Sequence, residues 1–454
     1  MKHDSSGGRL VETLRATAAS MSVGERMPST RLLMQRHAVS PVTVAAAVAA
    51  LVADGTLVTE HGRGTFVAPR LRDAGRDASW QDEVLGPARF DASPVLALSV
   101  DAVAPLLVLN AGYLDEELQP RAALTAAATR AMRRPHAWAK APLAGLPELR
   151  ALFATPLGLP EGDVVIIPGT QAGLAAAFRA LGRDTVLVEQ PSYPGALVAA
   201  RAAGLAPHPV ATDAQGLLPD ALDAALAATG SRLVYAQPCV ANPSGATLAA
   251  DRRAAVLEIL ARRGAFLIED DWARDLVFDA HAPRPLAAED PHGHVVYLRS
   301  LTKPVAPSLR VGALVARGLA RRRILEVRSA EDFFVARPMQ EVAIELLGSS
   351  AWPRHLRHVH AALRARRTAL LGALAGTRLT VESVPIGGLH LWARLPEGVA
   401  APAATRRAAA AAVVVGDGTA FFTGRAPMER LRLSFGAADE ATLVEGVHRG
   451  LSTL

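Results

Sequence analysis

The sequence predicts a mixed fold in two folded parts. A small part has three helices closed by a β-hairpin, and a large α/β part is built on a mostly parallel sheet. Three observations carry this. The chain has 454 residues, more than one ordinary core serves, so two or three domains are expected. Between Arg9 and Ala68, capping residues and glycines mark three short helices and then a hairpin. Further on, short Val/Ile/Leu runs alternate with Ala/Leu/Arg-rich helical stretches, the pattern of parallel strands joined by helical crossovers.

Taken in order, residues 9–20 form a helix with Leu10, Val11, Leu14 and Ala18 on one face, and Gly24 stops it. In Met27-Pro28-Ser29-Thr30-Arg31-Leu32-Leu33, Ser29 caps a second helix that ends near His37. Ser40 caps a third, from Pro41 at its first position to Asp54-Gly55. Leu57–Glu60 and Thr65–Val67 are short strands around His61-Gly62-Arg63-Gly64. Three helices and a hairpin make a winged helix-turn-helix over residues 1–69. Residues 70–100 carry no sustained period and serve as a linker with room for one short helix. The large part covers 101–454. Its strands are expected at Val164–Ile167, Thr185–Val188, Leu233–Ala236, Ala265–Ile268, Val295–Leu298 and Val311–Val315. In such sheets functional groups gather at the carboxyl ends of the strands.

Composition narrows the class. Half of the residues are hydrophobic but only 4% are aromatic, so the core is aliphatic and rich in Ala. The apolar run Ala408–Val415 is far short of the roughly 18 residues that span a bilayer. Met1-Lys2-His3-Asp4 leads into a charged segment, not a signal core, so a cytoplasmic protein without a membrane partner is expected. Cys239 is the only cysteine; it excludes an internal disulfide and a multi-Cys metal site, and reads as a small buried residue. The net charge is +6, and residues 1–80 hold ten Lys/Arg against seven Asp/Glu, a balance compatible with nucleic acid. Of 49 basic residues, only Lys2, Lys140 and Lys303 are lysines. Where a bare charge suffices this chain has Arg, so Lys303 points to an amine that must lose its proton.

Lys303 lies in Ser300-Leu-Thr302-Lys303-Pro-Val-Ala-Pro-Ser-Leu-Arg310-Val-Gly312, directly after an expected strand. A Schiff base requires an amine that deprotonates, which Arg in practice cannot supply. Ser300, Thr302 and Arg310 bring hydroxyls and a guanidinium suited to a phosphate. Pro168-Gly169-Thr170-Gln171 follows a strand and opens a helix, a ready anion site. Glu189-Gln-Pro-Ser-Tyr193 places an aromatic ring after another strand, and Asn242 offers an amide donor in Ala241-Asn242-Pro243-Ser244-Gly245. Glu269-Asp270-Asp271 sets carboxylates at a strand end, where one beside a pyridine nitrogen would keep it protonated. A metal site is the rival for this trio, but no His or further carboxylate motif accompanies it.

The N-terminal pieces, in their combined spacing, resemble the DNA-binding domain of GntR-type regulators. That resemblance implies phosphate contacts from Ser29, Arg31 and Thr43 and a minor-groove approach by Gly62, Arg63 and Gly64. From about Asn110 onward the motifs resemble fold-type I aminotransferases, which implies a smaller C-terminal α/β subdomain after the large sheet. The whole chain resembles the MocR subfamily. The resemblance implies pyridoxal 5′-phosphate (PLP) held as a Schiff base on Lys303, with Asp270 on the ring nitrogen, Asn242 on the ring hydroxyl and Tyr193 lining the pocket. Gly169, Thr170, Gln171, Ser300, Thr302 and Arg310 would surround the phosphate. Arg432, in Leu431-Arg-Leu-Ser-Phe435, would bind an effector carboxylate; its other reading is a surface strand Arg. Gly387-Gly-Leu-His390-Leu also resembles a family segment, with no chemical role assigned to His390. A homodimer is implied, each winged helix reaching its partner's large domain.

Three features depart from the family pattern. Pro41-Val-Thr-Val-Ala-Ala-Ala-Val-Ala-Ala50 is the recognition helix, yet it has few groups able to read base edges, which leaves thymine methyls, DNA shape and the wing. Trp272 replaces a Tyr; it can donate a hydrogen bond but cannot ionise. Residues 133–164 are short and have Trp138 where a Tyr is often found nearby. The leading reading is a PLP-dependent regulator of a double-stranded DNA operator that senses an amino compound or PLP. The others are a working aminotransferase with a vestigial DNA module, and a DNA-binding protein whose large domain only dimerises.

Overall fold

In a computed structural model the described residues are 6–19, 21, 24–37, 39–53, 56–60, 64–68, 80–86, 88, 90–96 and 106–454. The chain separates into two compact units, Met1–Ala88 and Arg89–Leu454. Among the described residues no helix is long and apolar enough to cross a membrane.

The first unit holds α1 (Ser6–Ala19), α2 (Thr30–His37), α3 (Pro41–Ala53) and the antiparallel hairpin of β1 (Leu57–Glu60) and β2 (Gly64–Val67). Leu10, Leu14, Leu33, Val44, Leu51 and Leu57 close a single core, so α1 and α3 bury the stripes that their 3.6-residue period dictates. Ser29 and Ser40 open their helices as expected: the Leu32 amide donates to Ser29 Oγ at 3.4 Å and the Thr43 amide to Ser40 Oγ at 3.2 Å. Among its described residues, the region expected to hold one short helix holds two, α4 (Trp80–Leu85) and α5 (Ser93–Leu96). The second starts because Asp91 accepts the Ser93 amide at 2.8 Å, a local cap that carries no periodic signal.

In the second unit the helices α6 (Arg121–Ala131) and α7 (Pro147–Ala154) come ahead of most of the main sheet, and the strands are β3 (Leu107–Val108), β4 (Val164–Ile167), β5 (Thr185–Gln190), β6 (Ala206–Asp213), β7 (Gly216–Leu217), β8 (Leu233–Ala236), β9 (Phe266–Asp270), β10 (Val295–Ser300) and β11 (Gly312–Val315). The main sheet has eight strands in the order β4-β11-β10-β9-β8-β5-β6-β7. Strands β10, β9, β8, β5 and β6 run parallel, and β11 lies antiparallel to both its neighbours. All side chains of β4, β8, β10 and β11 are buried, which is why these strands read as continuous apolar runs. Strand β6 escaped the sequence reading because Pro207 and Pro209 interrupt it. Over residues 206–211 it pairs with β5 on one edge, and on the other edge a missing N–H removes no ladder bond.

The C-terminal part carries β12 (Thr380–Val381), β13 (His390–Arg394), β14 (Val413–Val414), β15 (Gly416–Asp417) and β16 (Arg430–Ser434). A four-stranded sheet in the order β12-β13-β16-β15 forms the smaller subdomain, and β14 pairs with β3. Leu391, Ala393, Leu431 and Leu433 bury one face of that sheet. The alternate residues His390, Trp392, Arg432 and Ser434 therefore share the other.

Candidate functional site

The carboxyl ends of the parallel strands converge on one pocket. Asp270 closes β9, Gln237 follows β8, and Tyr193 lies just beyond β5. Thr302 and Lys303 follow β10, and a fifth approach comes from α8 (Thr170–Leu181), which begins just beyond β4. The geometry of open α/β sheets places ligands at this edge.

Lys303 Nζ donates to the Gly112 carbonyl at 2.7 Å and lies 3.9 Å from the centre of the Tyr113 ring. Burial pushes its pKa down to about 7, and Arg432 adds to the effect. The amine is thus available in its neutral, nucleophilic form near neutral pH. Across the pocket, Asp270 Oδ2 accepts from Tyr235 Oη at 2.9 Å and from Gln237 Nε2 at 2.8 Å. Its second oxygen, Oδ1, is buried without a partner. Burial raises the Asp270 pKa to about 6. A buried carboxylate oxygen left unpaired at a pocket wall is costly, and a protonated ring nitrogen would complete it.

The anion end of the pocket is built from the chain's own polar turns. Gly169 precedes α8 with φ +97°, and a Cβ there would lie 2.8 Å from the Arg310 guanidinium. Only glycine lets the backbone and that guanidinium approach so closely. Arg310 Nη2 is held by the Pro168 carbonyl at 2.6 Å, and the Ser300 hydroxyl donates to Thr302 Oγ1 at 2.8 Å. Thr170 and Gln171 sit at the first turn of α8, where free amides and the helix dipole favour an anion. Tyr193 packs its ring against Gly195, where a Cβ would come within 2.4 Å of the phenol oxygen. These residues fit PLP: Lys303 for its aldehyde, Asp270 for its ring nitrogen, and the α8 turn with Arg310 for its phosphate.

Arg432 is 2% exposed, which overturns its reading as a surface strand residue. Its guanidinium donates to the Asn110 carbonyl at 2.5 Å and to Asn242 Oδ1 at 3.2 Å, while Nε has no partner. Among the described residues no carboxylate pairs with it, so a buried cation faces the pocket without a counter-ion. Trp272 lines the wall, but its indole N–H is spent on the Val240 carbonyl at 2.9 Å. It contributes a flat surface and no polar contact to a ligand. Trp138 is 79% exposed, and residue 138 is not part of the pocket wall.

The expected DNA-contacting residues lie in the first unit. Ser29 and Arg31 are exposed, at and just beyond the start of α2. Thr43 is half-buried, with its hydroxyl 2.8 Å from Ser40 Oγ. Gly64 takes φ +126° against the Arg26 side chain. Gly62 and Arg63 lie outside the described residues. Along α3, Val42, Ala45, Ala46, Ala49 and Ala50 are exposed, so its outer face is apolar.

Five wall residues went unassigned from sequence, among them Gly112, whose carbonyl accepts from Lys303. Tyr113 and Gln237 stand near motifs, Gln237 five residues before Asn242 and at a strand end, and that position was the available signal. His390 was noticed without a role. Val95, on α5, carried no signal at all.

The chain matches the family "Aminotransferase class I and II" over residues 105–449 and "Bacterial regulatory proteins, gntR family" over residues 9–67. It is 31% identical to a 2-aminoadipate transaminase of Thermus thermophilus over 82% of this chain and 96% of that protein. A probable rhizopine catabolism regulatory protein, MocR of Rhizobium meliloti, is 26% identical over 97% of this chain and 92% of its own length. Among solved structures, α-aminoadipate aminotransferase LysN of Thermus thermophilus, complexed with N-(5′-phosphopyridoxyl)-L-leucine, is similar with a TM-score of 0.71. It is 28% identical over 82% of this chain and 96% of that one.

Proposed function

This chain belongs to the aminotransferase class I and II family, in the MocR arrangement with a GntR-type domain ahead of that fold, and from this premise we propose an effector-responsive transcription regulator. The cofactor is PLP. When bound, it supplies an aldehyde that takes amines and an electron-withdrawing pyridine ring. In the proposed reading Lys303 would hold the cofactor by its aldehyde, and Arg432 would receive the carboxylate of an amino compound. Asp270 would keep the ring nitrogen protonated, Asn242 orients Arg432, and Trp272 and Tyr193 would keep water from the ring. The sensed molecule is an amino compound or PLP itself, and the DNA partner is a double-stranded operator. In this reading the protein acts in the cytoplasm as a homodimer.

One observation carries this proposal: a deprotonatable lysine and an uncountered buried arginine wall the same pocket, in a chain whose other unit is a winged helix. Regulation further requires that ligand and DNA bias one two-state element. The test is a visible spectrum of the PLP-loaded protein titrated with amino compounds, alongside footprinting on DNA upstream of its own gene. A compound that shifts the spectrum and also alters the footprint is the expected result. The apolar outer face of α3 favours a second reading, an active aminotransferase with a vestigial DNA module. Steady conversion of amino acid and keto acid with no footprint would select it.

A further inference from the structure

One polar group in the pocket wall has no part in the reading just given: the imidazole of His390. It opens β13 and pairs in register with Ser434 of β16, while Trp392, two residues on, pairs with Arg432. Residues two apart in a strand share a face, so His390 and Arg432 are diagonal neighbours on the pocket side of this sheet. His390 is 6% exposed and its ring lies against Trp272, with centroids 5.6 Å apart. Burial, Arg432 and Lys303 all hold it well below the usual histidine pKa, so the ring is neutral. A neutral imidazole has one donor and one acceptor nitrogen. The Ala111 backbone engages the ring, yet Nε2 is buried without a partner. Lys303 and Arg432 are committed to backbone carbonyls and Asn242, and the Ser434 hydroxyl opposite is itself unpaired. Interiors retain few such orphans without a use.

We infer that His390 is a specificity-determining residue: its Nε2 pairs with a polar group on the side chain of the amino compound anchored between Lys303 and Arg432. An amino acid held by its amine and its carboxylate has one variable part, the side chain. A buried polar wall group selects strongly against a ligand that leaves it unpaired. The preferred ligands are therefore amino acids with a hydroxyl or amide side chain, over apolar ones of the same shape. This inference rests on the sensor reading above.

The test measures equilibrium affinity by calorimetry and spectral titration on the full-length, PLP-loaded protein, with three isosteric pairs: threonine and valine, asparagine and leucine, serine and 2-aminobutyrate. The polar member of at least one pair is expected to bind about tenfold more tightly, a difference of about 1.4 kcal/mol. His390→Phe removes that ratio, His390→Gln keeps part of it, and Ser434→Ala leaves it intact. Equal or reversed affinities in all three pairs overturn the inference on the unmutated protein alone, whatever the variants do. So does a ratio that survives His390→Phe, or one that Ser434→Ala abolishes equally. A protein that takes up no PLP and binds no amino compound overturns the sensor reading too, which separates the two failures.

Discussion

The pocket of the large unit and the outer face of α3 are built on opposite terms. In the pocket, Asp270 Oδ1, Arg432 Nε and His390 Nε2 are buried and unpartnered, and the Lys303 pKa is displaced to about 7. On α3, Val42, Ala45, Ala46 and Ala49 stand exposed, and none of these side chains has a polar atom. Burial makes each polar group expensive, so its presence states what the ligand must offer. Exposure makes an alanine nearly free, so the α3 face states only its shape. Burial therefore fixes which polar groups a pocket ligand must carry, whereas the exposed α3 face fixes none for a DNA partner.

The strongest way to break the comparison is Lys303→Arg. It preserves the charge but not the deprotonatable amine, and the visible band that depends on the bond between lysine and cofactor should be lost, leaving only the absorption of unattached PLP; retention of that band would remove the pocket's central residue. Next is Asp270→Asn, which keeps the shape and withdraws the charge facing the ring nitrogen. Equilibrium dialysis should show PLP affinity falling about tenfold to a hundredfold, as expected for a charged hydrogen bond of about 1.5–3 kcal/mol.

A pH series sharpens the same point. Because burial depresses the Lys303 pKa to about 7, PLP uptake by the cofactor-free protein should accelerate as pH rises through about 7 and then level off. An ordinary lysine would go on gaining up to its usual pKa of 10.5. The linked stability has the same sign. Between these values the unfolded chain binds more protons than the folded one, so the Lys303 contribution grows with pH and is lost as pH falls through about 7. A uptake profile still rising steeply at pH 9 would contradict the assignment.

On the other side of the comparison, effects should be smaller and more independent. Arg31→Ala removes one exposed charge from α2. In gel-shift titrations it should weaken binding to all duplexes several-fold and reduce the salt slope by about one. Loss confined to a single sequence would show that Arg31 reads bases. Ser40→Ala removes the hydroxyl that caps α3 and should lower the stability of the winged helix by about 1 kcal/mol, measured by denaturant unfolding.

Much of this was legible in the residues themselves, and for local reasons. Capping serines, terminating glycines and the apolar period located α1–α3, because helix ends and amphipathic faces depend on neighbours within a turn or two. Fully buried strands such as β4, β8 and β10 announced themselves as apolar runs. The scarcity of lysine singled out Lys303 before any geometry was known. Strand β6 was hidden by two prolines whose tolerance depends on which sheet edge they face, and α5 by a cap that is a single aspartate.

The sequence by itself determined the two-part architecture, the strand-end motifs and the residue types able to hold PLP, all of which are properties of short segments. Only the tertiary structure decided which atoms those segments leave unpaired. Arg432 became a buried cation when β16 was closed over by its neighbours. Trp272 lost its donor to the Val240 carbonyl, and His390 gained a pocket because β13 lies beside β16. Desolvation and partner counts belong to the packed assembly of distant segments, so they have no signature in any one of them.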